Sequence, residues 1–331
     1  MNRPPEEFVR VDPESLRLFC TGCLHAAGMT TAHAEQLAGL LVNSDLRGVR
    51  SHGTRSLGGY AGAIRSRKVN PNPDIRILSE TDTSIHIDGD GSLGYAPTML
   101  ATQMCIEKAK ARGTAVGAVL GIGHYGSAGH YVRRAMEEGL VGFSVQSASP
   151  QYYRSNEGNR AAHYGNPPMC WGLPSEDEAP VVLDGATCIL ADYQRGEEFE
   201  ELEEKIPAAF FKSMGYTAIG TAMGGAFAGQ ATERAREIGQ TWPAARMGGM
   251  IWLVNASLFV PEGMFQGAVD DMVRLAREEL TPLRGYPEAT LPGAVEHRLE
   301  AEYSAEGIKM GPQEKERLTE VGRDFGVETP W

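Results

Sequence analysis

The chain has 331 residues, 42% of them hydrophobic and 22% charged, which sets the expectation of a globular protein with one large domain or two to three smaller ones. No window reaches the ~18 uninterrupted apolar residues of a membrane span, and Met1–Glu7 has no apolar signal-peptide core, so neither membrane nor secretion is expected. The net charge of −12 speaks against nucleic acid or an anionic membrane as partner, and five cysteines (20, 23, 105, 170, 188) in no regular framework point to reduced thiols and a cytoplasmic setting.

Asp12-Pro13-Glu14-Ser15 predicts a helix start, with a capping acid and proline at the first helical position. Leu16, Phe19, Cys20, Cys23 and Leu24 recur at helical spacing until Gly28. The lone Cys20-Thr21-Gly22-Cys23 lacks the second pair a zinc site needs, so core packing is expected and no metal. A second helix follows Thr30-Thr31, with Ala34, Leu37, Leu40 and Leu41 on its apolar face, and leads into the polar segment 45–53. Residues 74–88 read as β structure closed by the turn Asp88-Gly89-Asp90-Gly91. Helices at 97–112 and 127–138 precede strands at 115–120 and 141–145. A long functional loop is expected at 149–168, then a short buried strand at Val181-Val182-Leu183 and a solvated, charge-dense helix at 196–205. Met250–Val260 reads as a strand, 265–279 as a helix, 281–293 as a connector and 313–325 as a final helix. The pattern suggests a helical region at 1–65, a central sheet domain at 66–293 and a C-terminal helical segment at 294–331.

Gly121-Ile122-Gly123-His124-Tyr125-Gly126 has the G-x-G-x-x-G spacing of a dinucleotide fingerprint and follows an apolar run. The fingerprint also needs an acid at the end of the next strand, about 20 residues on, to bind the ribose. That strand ends at Val145-Gln146-Ser147, and about 115 residues of mixed structure come before the glycines, so the doubly wound reading is set aside. The chemical reading is different. An imidazole is the usual group for exchanging a proton with a carbonyl or alcohol oxygen, and a guanidinium grips a carboxylate with two prongs. His52 lies in Ser51-His52-Gly53, flanked by Arg47, Arg50 and Arg55, as a small anionic substrate with an adjacent carbonyl would require. The bland reading pairs Arg47 and Arg50 with Asp45 and makes His52 a helix cap; spacing alone leaves both open.

Asp45-Leu46-Arg47-Gly48-Val49-Arg50-Ser51-His52-Gly53-Thr54 and Gly123-His124-Tyr125-Gly126-Ser127-Ala128-Gly129-His130-Tyr131 resemble the signature strings of the malate/L-lactate (sulfolactate-type) dehydrogenase family. That family includes ureidoglycolate dehydrogenase, diketogulonate reductase and cyclic imine reductases. Supporting matches follow in order at Gly165-Asn166-Pro167, Pro180–Cys188, Lys212 and Leu291-Pro292-Gly293. The resemblance implies an α+β, mixed α/β, non-Rossmann nicotinamide-binding fold with a large, mostly antiparallel sheet and a helical N-terminal region. It implies a homodimer, NAD or NADP as cofactor, and hydride transfer between nicotinamide and the α-carbon of a small 2-oxo or 2-hydroxy acid. Its alternatives are a cyclic imine reductase and a redox-inactive small-acid or nucleotide-binding relative. The implied catalytic set is His52 or His124 with Ser51; Arg47, Arg50 and Arg55 would bind substrate; and Asn166, Pro167, Asp184, Lys212, Pro292 and Gly293 would contact the cofactor. Departures from the family strings, among them Arg50 for the usual acid, Ser56 for the usual arginine and Cys188 for a serine, point away from ordinary malate or lactate specificity.

Overall fold

A computed structural model describes residues 4–155, 165–189, 197–284 and 287–331 of the chain. The chain divides into two compact units: Met1–Pro73, Ser175–Val181 and Phe265–Trp331 in the first, Asp74–Pro174 and Val182–Met264 in the second. In chain order, β1 (Val9–Val11), α1 (Pro13–Ala26), α2 (Thr31–Leu46) and α3 (Leu57–Arg65) open the first unit. Then come β2 (Arg76–Glu80), β3 (Ser84–Asp88), α4 (Tyr95–Arg112), β4 (Thr114–Ile122), α5 (Gly129–Met136) and β5 (Val141–Ala148). The second unit continues with β6 (Pro168–Leu173), β7 (Val181–Ala186), α6 (Glu197–Lys205), α7 (Pro207–Thr221), a π-turn (Ala222–Phe227), α8 (Glu233–Thr241) and β8 (Met247–Val254). The chain then returns to the first unit with α9 (Met264–Glu279), α10 (Ala294–Glu306), β9 (Ile308–Met310) and α11 (Pro312–Phe325).

The first unit is helical, as its periodicity predicts. Asp12 caps α1, accepting from the Ser15 amide and hydroxyl at 2.8 Å each. Leu16, Phe19, Cys20, Cys23 and Leu24 are buried along one stripe. Cys20 and Cys23 are core residues, and burial pushes the Cys23 thiol up to about 12, so the C-x-x-C pair packs as small apolar side chains. Two strands the periodicity does not announce, β1 and β9, pair antiparallel with Val9 opposite Met310. At three residues each they are too short to carry a period-2 signal.

The second unit is built on a seven-stranded sheet in the order β2-β3-β4-β8-β5-β6-β7. β3 and β4 run parallel; β2/β3, β4/β8, β5/β8 and β5/β6 are antiparallel, so the large, mostly antiparallel sheet expected from the sequence is found. One face is covered by α4 and α5 over a core that includes Ile85, Ile87, Val119, Ile251 and Leu253. On the other face Met223 of the π-turn packs on Phe143, Val145 and Met250, and α8 packs on β4. The topology disposes of the dinucleotide reading. β8 lies between β4 and β5 and is antiparallel to both, whereas the fingerprint belongs to adjacent parallel strands of a βαβ unit.

Some boundaries move for local reasons. β8 stops at Val254 because the Asn255 side chain accepts from the Ser257 amide at 3.0 Å and starts a 3₁₀ turn where the sequence reading continues a strand to Val260. The charged helix at 196–205 is found as α6. Residues 156–164 of the loop expected at 149–168 lie outside the described residues; 150–155 form a short 3₁₀ segment, and β6 begins with a proline at Pro168, where proline is tolerated in a strand.

Candidate active site

The Ser-His-Gly segment follows directly from α2. Ala34, Ala38, Leu41 and Asp45 share the buried stripe of that helix, so the apolar face ends in a carboxylate. Asp45 Oδ2 accepts from the Thr54 amide at 2.9 Å and the Thr54 hydroxyl at 2.5 Å, which folds residues 50–54 back over the helix end. Burial raises the Asp45 carboxyl to about 7, against the two Thr54 hydrogen bonds that lower it. Gly53 is required here because a Cβ would come within 1.8 Å of Asp45 Oδ1. The result presents Ser51 exposed and His52 half-buried, with Ser51 Oγ 2.9 Å from His52 Nδ1. The hydroxyl can accept from a protonated Nδ1 or donate to a bare one, so this partner serves either protonation state.

The three arginines are not equivalent. Arg47 donates to Glu300 Oε1 at 2.6 Å and to the Asn43 carbonyl at 3.1 Å, and its side chain is only 10% exposed. Arg50 meets Glu314 at 3.5 Å. Both therefore pair with carboxylates of α10 and α11; Asp45, the partner in the bland reading, is committed to Thr54. Arg55 is exposed and has no hydrogen bond or ion pair among the described residues. Its guanidinium is the one of the three that meets no carboxylate among the described residues.

In the second unit the glycine string forms a turn after β4. Gly121 (φ 67°) lies where a Cβ would meet Ile238 at 2.4 Å, and Gly126 (φ 81°) where one would meet the Tyr95 ring. Gln146 holds the turn from below: Oε1 accepts from the Tyr125 amide at 3.1 Å and Nε2 donates to the Gly123 carbonyl at 2.9 Å. The position where a dinucleotide fold would keep its ribose-binding acid thus carries a buried amide that staples the turn. The Gly123 amide donates to the Ser92 carbonyl at 2.7 Å and the Gly126 amide to His124 Nδ1 at 3.2 Å. These turn amides are consumed by the protein, so they do not form a phosphate cradle. Because His124 Nδ1 accepts, Nε2 carries the ring proton of the neutral imidazole. Tyr125 is fully buried, its hydroxyl 3.1 Å from Ser144 Oγ, and burial raises its phenol well above the usual value.

Of the segments implied as cofactor contacts, those at 166–167, 184 and 212 lie in the second unit. Asp184, on β7, accepts from the Ser127 hydroxyl and, at 2.9 Å, from the Gly129 amide at the start of α5. A few residues on, the Cys188 amide donates to Asn166 Oδ1 at 2.9 Å, and Thr187 Oγ1 to the Pro167 carbonyl at 2.8 Å. Ser213 Oγ donates to the Thr187 carbonyl at 2.9 Å and accepts from the Ile189 amide at the same distance. Lys212, next on α7, is exposed and has no partner among the described residues. Gly185 and Gly215 have open space where a Cβ would stand. An uncompensated ammonium, exposed amide and open backbone fit a phosphate-bearing cofactor. Pro292 and Gly293 belong to the first unit, where Gly293 (φ 101°) starts α10 and accepts from the His297 amide at 2.9 Å. Sequence reasoning missed two positioning groups, Asp45 and Gln146. Each had a signal: an acid continuing an apolar helical stripe, and an amide inside an apolar strand.

The family model described as malate/L-lactate dehydrogenase matches residues 11–209. The malate dehydrogenase of Pyrococcus horikoshii is 34% identical over 185 residues, 56% of this chain and 51% of that protein. The chain spans about half the length of the curated relatives it matches in this way. The solved structure of the Pyrococcus horikoshii enzyme superposes with a TM-score of 0.80 at 23% identity, covering 99% of both chains. That of delta1-piperideine-2-carboxylate reductase from Pseudomonas syringae gives 0.73 at 18%, covering 95% of this chain and 99% of the other. These two likenesses carry the fold. With more than half of its residues inside the matched segment, the chain belongs to the malate/L-lactate dehydrogenase family.

Proposed function

We propose that the protein is an NAD(P)-dependent oxidoreductase that transfers a hydride between the nicotinamide and the α-carbon of a small 2-oxo or 2-hydroxy acid. The observation that carries this reading is the turn at 51–55. It places an imidazole with a protonation-tolerant Nδ1 partner three residues from an exposed guanidinium that meets no carboxylate among the described residues. Those are the two groups a 2-oxo acid needs, one to exchange a proton with its oxygen and one to grip its carboxylate. His52 is the better suited to gain and lose the proton, since Ser51 serves both states. His124, whose Nδ1 is occupied as an acceptor, is suited to donate a hydrogen bond from Nε2. The cofactor, when bound, supplies the hydride. Asn166, Pro167, Asp184 and Lys212, with Pro292 and Gly293, are the residues that would hold it. Exposed Phe211, Tyr216 and Ile219 on α7 support a homodimer, the free cysteines a cytoplasmic setting, and the acidic net charge a partner other than nucleic acid.

A second reading, reduction of a cyclic imino acid, is favoured by the likeness to the piperideine-carboxylate reductase. Carboxylate recognition and the proton are common to both. A panel of 2-oxo acids and cyclic imino acids, assayed with NADH and NADPH on wild type, His52→Ala and His124→Ala, separates them. Turnover with a 2-oxo acid that His52→Ala removes supports the first reading, and turnover confined to imines supports the second. Absence of binding of either cofactor leaves only a redox-inactive relative that binds a small acid or another nucleotide.

A further inference from the structure

Helix α8 sorts its side chains three ways. Ala235 and Ile238 enter a small core with Leu120 and Ala245. Arg234 takes another flank, where it donates to Asp88 at 2.6 Å and Asp90 at 3.4 Å and lies 3.9 Å from Glu237. The third flank, Arg236 and Gln240, lines a cavity of about 580 Å³ whose other walls include Gln151, Tyr152, Gln230 and Arg246. That volume suits a small ligand.

Among the described residues, no acidic side chain lines this cavity. Several arginines elsewhere in the chain meet carboxylates, as Arg47, Arg50, Arg234 and Arg277 do. Arg236 and Arg246 meet none among the described residues. The Arg236 stem is fixed by a 2.9 Å hydrogen bond from Nη1 to the Ala231 carbonyl, and Gly239 leaves room for Arg246, whose Cγ lies 3.6 Å from where a Cβ would be. Gln230 is buried and held by its Nε2 on the Met247 carbonyl. In a chain of net charge −12, two exposed arginines from different elements line one cavity together with amides and a phenol. A carboxylate offers two oxygens, both of which a single guanidinium fork engages in a bidentate pair, whereas a phosphate monoester offers three and suits two guanidiniums.

We infer that this cavity is a binding site for a small phosphate ester, its phosphate held between Arg236 and Arg246 and its organic part by the glutamines and Tyr152. The assignment is independent of the proposed redox reaction, since it uses neither histidine and none of the implied cofactor contacts.

The test is calorimetric titration of the full chain with inorganic phosphate, ribose 5-phosphate and adenosine 2′-monophosphate, for wild type and Arg236→Gln/Arg246→Gln. Binding of at least one probe to wild type, weakened tenfold or more in the double variant, is expected. Tightest binding of adenosine 2′-monophosphate identifies a nucleotide-borne phosphate, and equal binding of ribose 5-phosphate a sugar phosphate. Failure of all three probes to bind wild type, or unchanged binding in the double variant, overturns the assignment. Arg246→Gln alone breaks no hydrogen bond among the described residues and gives the same reading should the double variant unfold.

Discussion

Gly53 and Asp45 are a matched pair. With a carboxylate oxygen 1.8 Å from where its Cβ would be, Gly53→Ala must push Asp45 off Thr54. Overpacking plus a disturbed buried acid is expected to cost about 2–4 kcal/mol, read as a lowered denaturation midpoint at unchanged slope. Asp45 itself gives the fold a pH dependence. Its folded carboxyl sits at about 7 against 3.8 in an unfolded chain, so between those values the folded state binds more protons than the unfolded. Its contribution is therefore full below about 4 and is lost as pH rises through 7. Asp45→Asn does not titrate, so the stability of the variant relative to wild type should climb over that window, by on the order of a few kcal/mol. A difference that stays flat from pH 4 to 8 would contradict the shift. At Arg55 the expectation is kinetic: Arg55→Gln should raise KM for an acid substrate on the order of tenfold or more, while Arg47→Gln, which breaks a pair with Glu300, should chiefly lower stability.

At the scale of elements, the glycine turn after β4 and the strand β5 act together through Gln146. Gln146→Leu would leave the Tyr125 amide and the Gly123 carbonyl buried without partners and is expected to cost about 2–4 kcal/mol. Gln146→Glu discriminates between the two accounts of the turn. If the residue stood at a ribose-binding position, the acid would tighten cofactor binding; as a staple, the acid loses the donor to Gly123 and should destabilise the protein with no gain in cofactor affinity. Elements with a clear period were legible: the stripe of α1, the start of α2, the strands β3 and β4, though not that these two run parallel. α7 was not, because Phe211, Tyr216 and Ile219 stand exposed and blur its apolar face. The same holds for the π-turn, where Gly224 and Gly225 press on the backbone of Gln146 and Ala148, a fit set by tertiary contact and invisible in local spacing.

At the scale of the whole molecule, the sequence carried the family and the sheet type through ordered motifs, and it carried the histidines and arginines as residue types. It could not say which guanidiniums were already paired, because Glu300 and Glu314 lie some 250 residues from Arg47 and Arg50 along the chain. That long-range pairing leaves Arg55 as the one of the three candidates that is exposed and meets no carboxylate among the described residues. The account stands or falls on nicotinamide-linked turnover. The most direct measurement follows oxidation of NADH and NADPH by the purified protein across the 2-oxo acid panel, with His52→Ala alongside. The account predicts substrate-dependent oxidation that falls roughly 100-fold or more in the variant. No oxidation with any acid or imine, together with no binding of either cofactor, would contradict it.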